Sequence, residues 1–244
     1  MRLLVTRPEP DAGRTAAALR AHGHAVIVAP LLRIDAIADA EIGGGPWAAV
    51  LITSANAAVA IAGHQCLPEL RRLPVFAVGD RSAEAMRIAG FDDVTSADGV
   101  ANDLAVLVAA RLKPPAPLLY LAGIDRSGDL VGALGERGFR IRTVAIYRAV
   151  VAPGLPRAVA AALAQGVDGV LHFSRRSAEA YVNAARGAGL LDRALQKPIH
   201  FCLSAQIGEP LARAGGGDIR VAPQPVEAAL IGLISSAQRS DSGR

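Results

Sequence analysis

One phrase occurs twice in this chain, and it limits the fold more than any other feature. Residues 3–26 read LLVTRPEPDAGRTAAALRAHGHAV, and residues 118–141 read LLYLAGIDRSGDLVGALGERGFRI. Without a gap, Leu3, Leu4, Gly13, Ala18, Leu19 and Gly23 fall on Leu118, Leu119, Gly128, Ala133, Leu134 and Gly138. Two further pairs follow in the same order. LITSANAAVA (51–60) matches LHFSRRSAEA (171–180), and FAVGDRSAEAMRIAG (76–90) matches FCLSAQIGEPLARAG (201–215). The offset between the copies grows along the chain, as loop insertions between conserved units would make it grow. Three pairs in one order indicate an internal duplication.

Each copy is a short apolar run, a polar turn, a helical pattern and a closing glycine. Runs at 2–6, 25–29, 48–53, 75–78, 118–121, 141–149, 169–173 and 199–203 read as strands. Between them, segments such as 12–21, 55–62, 82–89, 101–111, 127–137, 155–164, 177–185, 207–214 and 226–236 carry helical periodicity. Short apolar strands alternating with helices give an α/β fold with parallel sheets covered on both faces. Hydrophobic residues make up 52% of the 244 and aromatics only 4%, so the core must be aliphatic and alanine-rich.

Two stretches have no place in the repeat. PLLRIDAI (30–37) leaves the first copy and TVAIYRAVVAPGLP (143–156) leaves the second. Two extended links imply that the chain leaves one domain, completes another and returns. The expected domains are 1–35 plus 150–244, discontinuous, and 36–149, with linkers near 30–37 and 143–156.

The composition narrows the function classes. Two cysteines, Cys66 and Cys202, make no disulfide framework and suit a reducing compartment. No secretory leader is read at the N-terminus, and the run at 47–63 is broken by Thr53, Ser54 and Asn56, so no membrane span is expected. The expectation is a cytoplasmic monomer with no membrane partner. The net charge of +4 can steer anions, but no basic block exceeds two residues and aromatics do not interleave with it, so no nucleic acid partner is expected.

Polar residues concentrate at the strand ends. They include Thr6 and Arg7, Ser54 and Asn56, Gly79, Arg81 and Ser82, Gly123 and Arg126, Ser174 and Arg176, and Ser204. In open parallel sheets ligands bind outside the carboxyl ends of the strands. Each of these turns also opens a helix, whose N–H groups favour anions. Several such sites beside arginines point to a small molecule carrying several carboxylates or phosphates. The serines equally suit helix capping, and each arginine alone equally suits a solvated loop charge.

Familiar catalytic signatures are missing. There is no G-x-G-x-x-G after the first strand, no Walker lysine and no G-x-S-x-G elbow. His22 and His24 flank a helix-ending glycine, and His172 and His200 fall within strands, where packing explains them. His64 and Cys66 lack a second metal-spaced pair, so no metal is expected.

The chain resembles the uroporphyrinogen-III synthase family across nearly its whole length. The likeness rests on LLVTRPEPDAGRTAAALRAHGHAVIVAPLLRI, VLITSANAA, FAVGDRSAEAMRIAGF, LLYLAGIDRSGDLVGALGERGFRIRTVAIYRAV and VLHFSRRSAEAY, taken in this order. It implies two α/β/α domains with flavodoxin- or Rossmann-like parallel sheets, joined by a two-stranded β linker. It implies a substrate, hydroxymethylbilane, held in the interdomain cleft and closed to uroporphyrinogen III with inversion of ring D and loss of water. No cofactor is implied. Thr6, Arg7, Ser54, Asn56, Gly79, Ser82, Ser174 and Tyr147 fall on family motif positions, with Tyr147 as the candidate acid beside the departing hydroxyl. The loop LSAQIGEP (203–210) departs from the family pattern: Ser204 stands for a glycine, and Gln206 and Ile207 for threonines. Pro210 is expected near the first turn of the helix that follows. A non-catalytic binder or sensor of a small polyanion is the alternative that the missing acid–base residues also allow.

Overall fold

A computed structural model describes residues 1–97, 99–126 and 128–241. The chain opens with β1 (Arg2–Val5), whose Leu3, Leu4 and Val5 are fully buried. Burying each such side chain contributes about 1.5–3 kcal/mol. Helix α1 (Asp11–Ala21) follows, ends where Gly23 adopts a φ of 81°, and returns the chain to β2 (Ala25–Val28). The next strand, β3 (Leu32–Ala36), carries the chain out of this region.

The middle of the chain builds β4 (Ala49–Ile52), α2 (Asn56–Ile61), α3 (Leu67–Leu70), β5 (Val75–Ala77), α4 (Asp80–Ile88) and β6 (Val94–Ser96). It continues through α5 (Ala101–Arg111), β7 (Pro117–Gly123), α6 (Leu130–Gly135) and the long β8 (Arg140–Val151). The last third is α7 (Arg157–Gln165), β9 (Gly169–His172), α8 (Arg175–Gly187), α9 (Leu191–Gln196), β10 (Ile199–Cys202), α10 (Ala205–Arg213), β11 (Asp218–Val221) and α11 (Glu227–Asp241).

These elements form two compact units, Met1–Arg33 with Val150–Arg244, and Ile34–Ala149. Both passages between them lie in β3 and β8, which are neighbours in one sheet. Ala152 N–H donates to the Leu31 carbonyl (2.9 Å) and Ile37 N–H to that of Ile146 (2.8 Å), so the two passages run antiparallel.

Unit 1 is a five-stranded sheet in the order β11-β10-β9-β1-β2, with every neighbouring pair parallel. Leu3, Val5, Leu19, Phe201, Leu230 and Ile234 form the core under α1 and α11. The other face packs Leu4, Leu163, Val170, Tyr181, Leu195 and Leu211 under α7 to α10. Unit 2 carries a six-stranded sheet in the order β3-β8-β7-β4-β5-β6. One face packs Val50, Ile61, Val75 and Met86 under α2 to α4; the other packs Leu51, Leu104, Val108, Leu118 and Leu134 under α5 and α6.

The expected α/β class with parallel sheets holds, and the structure adds and moves elements. Strands β6 and β11 and the short helices α3 and α9 were not read from the sequence. The segment 30–37, read as a bridge, contributes a paired strand. The helix expected over 127–137 spans only Leu130–Gly135: Gly128 takes a φ of 78°, and the Asp129 carboxylate caps the helix by accepting from Gly132 N–H at 2.8 Å. Ser127 lies outside the described residues. Pro210 sits inside α10 beyond its first turn, because the helix already begins at Ala205.

Candidate functional site

Parallel pairing brings every strand-end turn of a unit to one edge of its sheet. Taking the strands of unit 1 in chain order, their spatial order is 2-1-3-4-5, so the topology reverses between β1 and β9. Thr6 and Arg7 follow β1 here, and Phe173 and Ser174 follow β9. Thr6 is fully buried and its hydroxyl donates to the Leu171 carbonyl at 3.0 Å.

Arg7 is 9% exposed. Its guanidinium donates to Asp11 (3.0 Å), Glu227 (3.2 Å) and the Thr15 hydroxyl (3.2 Å), and lies 4.1 Å from the centre of the Phe173 ring. Thr15 in turn donates to Glu227. Burial lowers the Arg7 pKa from its ordinary value and Glu227 opposes that shift. Two carboxylates therefore neutralise Arg7 inside unit 1. Arg7, expected at a ligand site, is thus held by partners within its own unit.

Ser174 caps α8, accepting from Ser177 N–H at 3.1 Å, and the two hydroxyls lie 2.8 Å apart. Arg176 is half-buried in the first turn of α8. Ser204 stands at the N-cap of α10 without a side-chain cap bond. Thr6, Ser174, Arg176 and Ser204 thus share one edge of unit 1.

The interior of the same sheet holds a pair of imidazoles. His172 and His200 are fully buried, with His172 Nε2 3.1 Å from His200 Nδ1 and His200 Nε2 3.3 Å from the Leu195 carbonyl. A carbonyl accepts only, so His200 carries its proton on Nε2. His200 Nδ1 then accepts from His172 Nε2–H, and among the described residues His172 Nδ1 has no partner. Burial holds the His172 pKa well below the usual imidazole range and that of His200 at about 4. These rings pack, as the sequence suggested.

In unit 2 the five parallel strands follow the order 3-2-1-4-5, and the topology reverses between β4 and β7. Ser54 accepts from Asn56 N–H at 3.2 Å, tightening the turn into α2. Gly79 caps α4 with a φ of 75°, a conformation that favours glycine, and faces open space. Arg81 is exposed, whereas Ser82 is buried inside α4 instead of preceding it, because the helix starts at Asp80. Arg126 is exposed on the loop after β7.

Tyr147 reaches this edge through an irregularity. In the β7–β8 ladder Ala122 pairs with Ala145 but Gly123 pairs with Tyr147, so β8 carries one extra residue. Such a bulge re-aims a side chain. Here the Tyr147 ring lies across Gly123, where an added Cβ would sit 2.6 Å from a ring carbon. The absence of a side chain at Gly123, an expected site residue, leaves room for the Tyr147 ring. Burial raises the Tyr147 pKa above 10, and hydrogen bonding with Ser54 partly offsets this.

A cavity of about 600 Å³ opens at the same edge, lined by Thr53, Val78, Val100, Asn102, Asp129 and Ala133 among others. Thr53 Oγ1 lies 2.8 Å from the Tyr120 hydroxyl. Tyr120 was not among the expected site residues, yet the repeat signals it. It occupies the position of Val5 in the first copy, a hydroxyl within an aliphatic strand. Among the described residues no three His, Cys, Asp or Glu side chains group as a metal site, and no helix is long and apolar enough to cross a membrane.

The uroporphyrinogen-III synthase HemD family model matches residues 13–232. The chain belongs to the uroporphyrinogen-III synthase family. Members of this family are cyclising lyases that act on a small-molecule tetrapyrrole. A uroporphyrinogen-III synthetase structure from Helicobacter pylori is similar in fold, with a TM-score of 0.67 at 16% identity over 97% of this chain and 100% of that one. A mutant uroporphyrinogen III synthase from Thermus thermophilus gives 0.50 at 17% identity over 98% and 99%. No curated protein sequence matches the chain.

Proposed function

We propose that this chain closes hydroxymethylbilane to uroporphyrinogen III, inverting ring D with loss of water, and that it works in the cytoplasm. The family match over residues 13–232 carries this reading. The linear tetrapyrrole bears an acetate and a propionate on each ring. The carboxyl-edge turns of both sheets, with Ser54, Asn56, Gly79, Arg81, Arg126, Ser174, Arg176 and Ser204, supply N–H, hydroxyl and guanidinium donors suited to those carboxylates. Thr6, Arg7, Ser82 and Gly123 support these turns.

The reaction asks little of acid–base chemistry. The pyrrole nitrogen lone pair expels hydroxide to give an azafulvene. Attack by the substituted carbon of ring D then gives a spiro intermediate that rearranges to the inverted ring. The unaided substrate also cyclises, to the uninverted isomer, so the protein acts mainly by holding one conformation. Tyr147 donates a proton to the departing hydroxyl. The phenol is protonated at neutral pH even at its ordinary pKa, and burial raises that pKa further, so it is available as a donor. The test supplies hydroxymethylbilane and separates the oxidised isomers. The type III isomer is expected; type I alone would leave only the reading as a non-catalytic binder.

A further inference from the structure

We infer that Tyr120 is a positioning residue that turns the Thr53 hydroxyl into a hydrogen-bond donor aimed at an anionic group in the unit 2 cavity. The inference rests on the reading of a carboxylate-bearing substrate at this edge. Tyr120 lies in β7 beside β4, in register with Leu51, and is 3% exposed. Its neighbours are aliphatic or aromatic: Leu51, Phe76, Leu104, Leu118 and Leu130 share its core cluster. A buried phenol needs an acceptor. Among the described residues Thr53 Oγ1, at 2.8 Å, is the acceptor that the structure offers.

That fixes the polarity of the pair. If Thr53 donated, the Tyr120 proton would have no hydrogen-bond acceptor among the described residues, a cost of the same order as a lost hydrogen bond. Tyr120 therefore donates, and the proton of Thr53 is left to point elsewhere. Thr53 is half-buried at the end of the central strand β4 and lines the cavity. Its proton is thus offered to whatever occupies that space. A hydroxyl that both accepts from a phenol and donates onward is polarised along the chain and makes a better donor than an isolated threonine. A hydroxyl with only a donor to offer selects an acceptor, and a carboxylate is the strongest one a polycarboxylate tetrapyrrole brings. The cavity's own carboxylate, Asp129, already accepts from Gly132 N–H at the start of α6.

The experiment uses the full chain with hydroxymethylbilane, resolving KM from kcat and measuring the melting temperature. Thr53→Val removes the hydroxyl and keeps the shape; it is expected to raise KM about tenfold with kcat within twofold, the loss of one charge-assisted hydrogen bond. Thr53→Ser should restore KM. Tyr120→Phe is expected to raise KM several-fold in the native background and to have no further effect on KM in the Thr53→Val background. An equal KM rise in both backgrounds would overturn the inference, because Tyr120 would then act by another route. Unchanged KM in Thr53→Val and Tyr120→Phe, with wild-type protein making the type III isomer, would overturn it while leaving the proposed reaction intact. Wild-type protein that yields only the type I isomer would overturn both.

Discussion

The buried imidazole pair makes unit 1 sensitive to mild acid, by an amount that can be worked out. Protonating His172 on Nδ1 would place an N–H⁺ in a fully buried position with no acceptor. Protonating His200 on Nδ1 would set two donors against each other across 3.1 Å. The surroundings offer little relief. The Tyr181 ring stands edge-on to both imidazoles and its hydroxyl donates to the Ala194 carbonyl, while Asp218 pulls the His200 pKa only weakly upward. Both rings therefore stay neutral in the folded state. In the unfolded chain each titrates near 6.5, so below that pH the unfolded state binds more protons and stability falls as pH falls. At pH 5 each ring held neutral costs about 2 kcal/mol, about 4 kcal/mol for the pair, and the loss for His200 levels off near its folded value of about 4. Against a domain stability of about 5–15 kcal/mol that is a large share. Urea unfolding at pH 7 and pH 5 should show this drop, and His200→Gln should reduce it by about 2 kcal/mol. His24, also buried and without a hydrogen-bond partner, contributes to the acid limb of both proteins and cancels in the difference. An equal pH dependence in wild type and variant, or an imidazole titrating near 6.5 in the folded protein by NMR, would refute the reasoning.

Tyr147→Phe is expected to lower kcat about 100-fold at unchanged melting temperature, read in the isomer-resolved assay; an unchanged kcat removes Tyr147 from the chemistry. Gly123→Ala should displace the same ring, costing about 1–3 kcal/mol of stability and most of the kcat lost in Tyr147→Phe, with little further loss of kcat when the two are combined. Arg7→Met removes the buried cation between Asp11 and Glu227 and leaves Asp11 its more exposed partner Arg14; allowing for partial exposure, about 2 kcal/mol is lost, seen as a melting temperature lower by about 4–8 °C. A salt-dependent rise in KM with an unchanged melting temperature would instead return Arg7 to the ligand site.

What the sequence made legible, and what it hid, follows from how far each signal travels along the chain. The repeated strand–turn–helix phrase is local, so the parallel α/β class and the one edge carrying the polar turns could be read from it. Strands β6 (VTS) and β11 (DIRV) escaped because they sit at sheet edges and lack a continuous apolar run. Helices α3 and α9, of four and six residues, are too short to display a period. The site divides in the same way. That Ser174 would cap a helix needs only its own neighbours. That Arg7 finds a partner inside the fold depends on Glu227, 220 positions away, and that Tyr147 covers Gly123 depends on one extra residue in a ladder register. An arginine at a strand end is therefore an ambiguous signal: the sheet guarantees its edge, but a distant carboxylate decides whether its charge remains for a ligand. A hydroxyl interrupting an aliphatic strand, as Tyr120 does, is a sharper one. Burial obliges it to find an acceptor, and the acceptor within reach is the residue that ends the neighbouring strand.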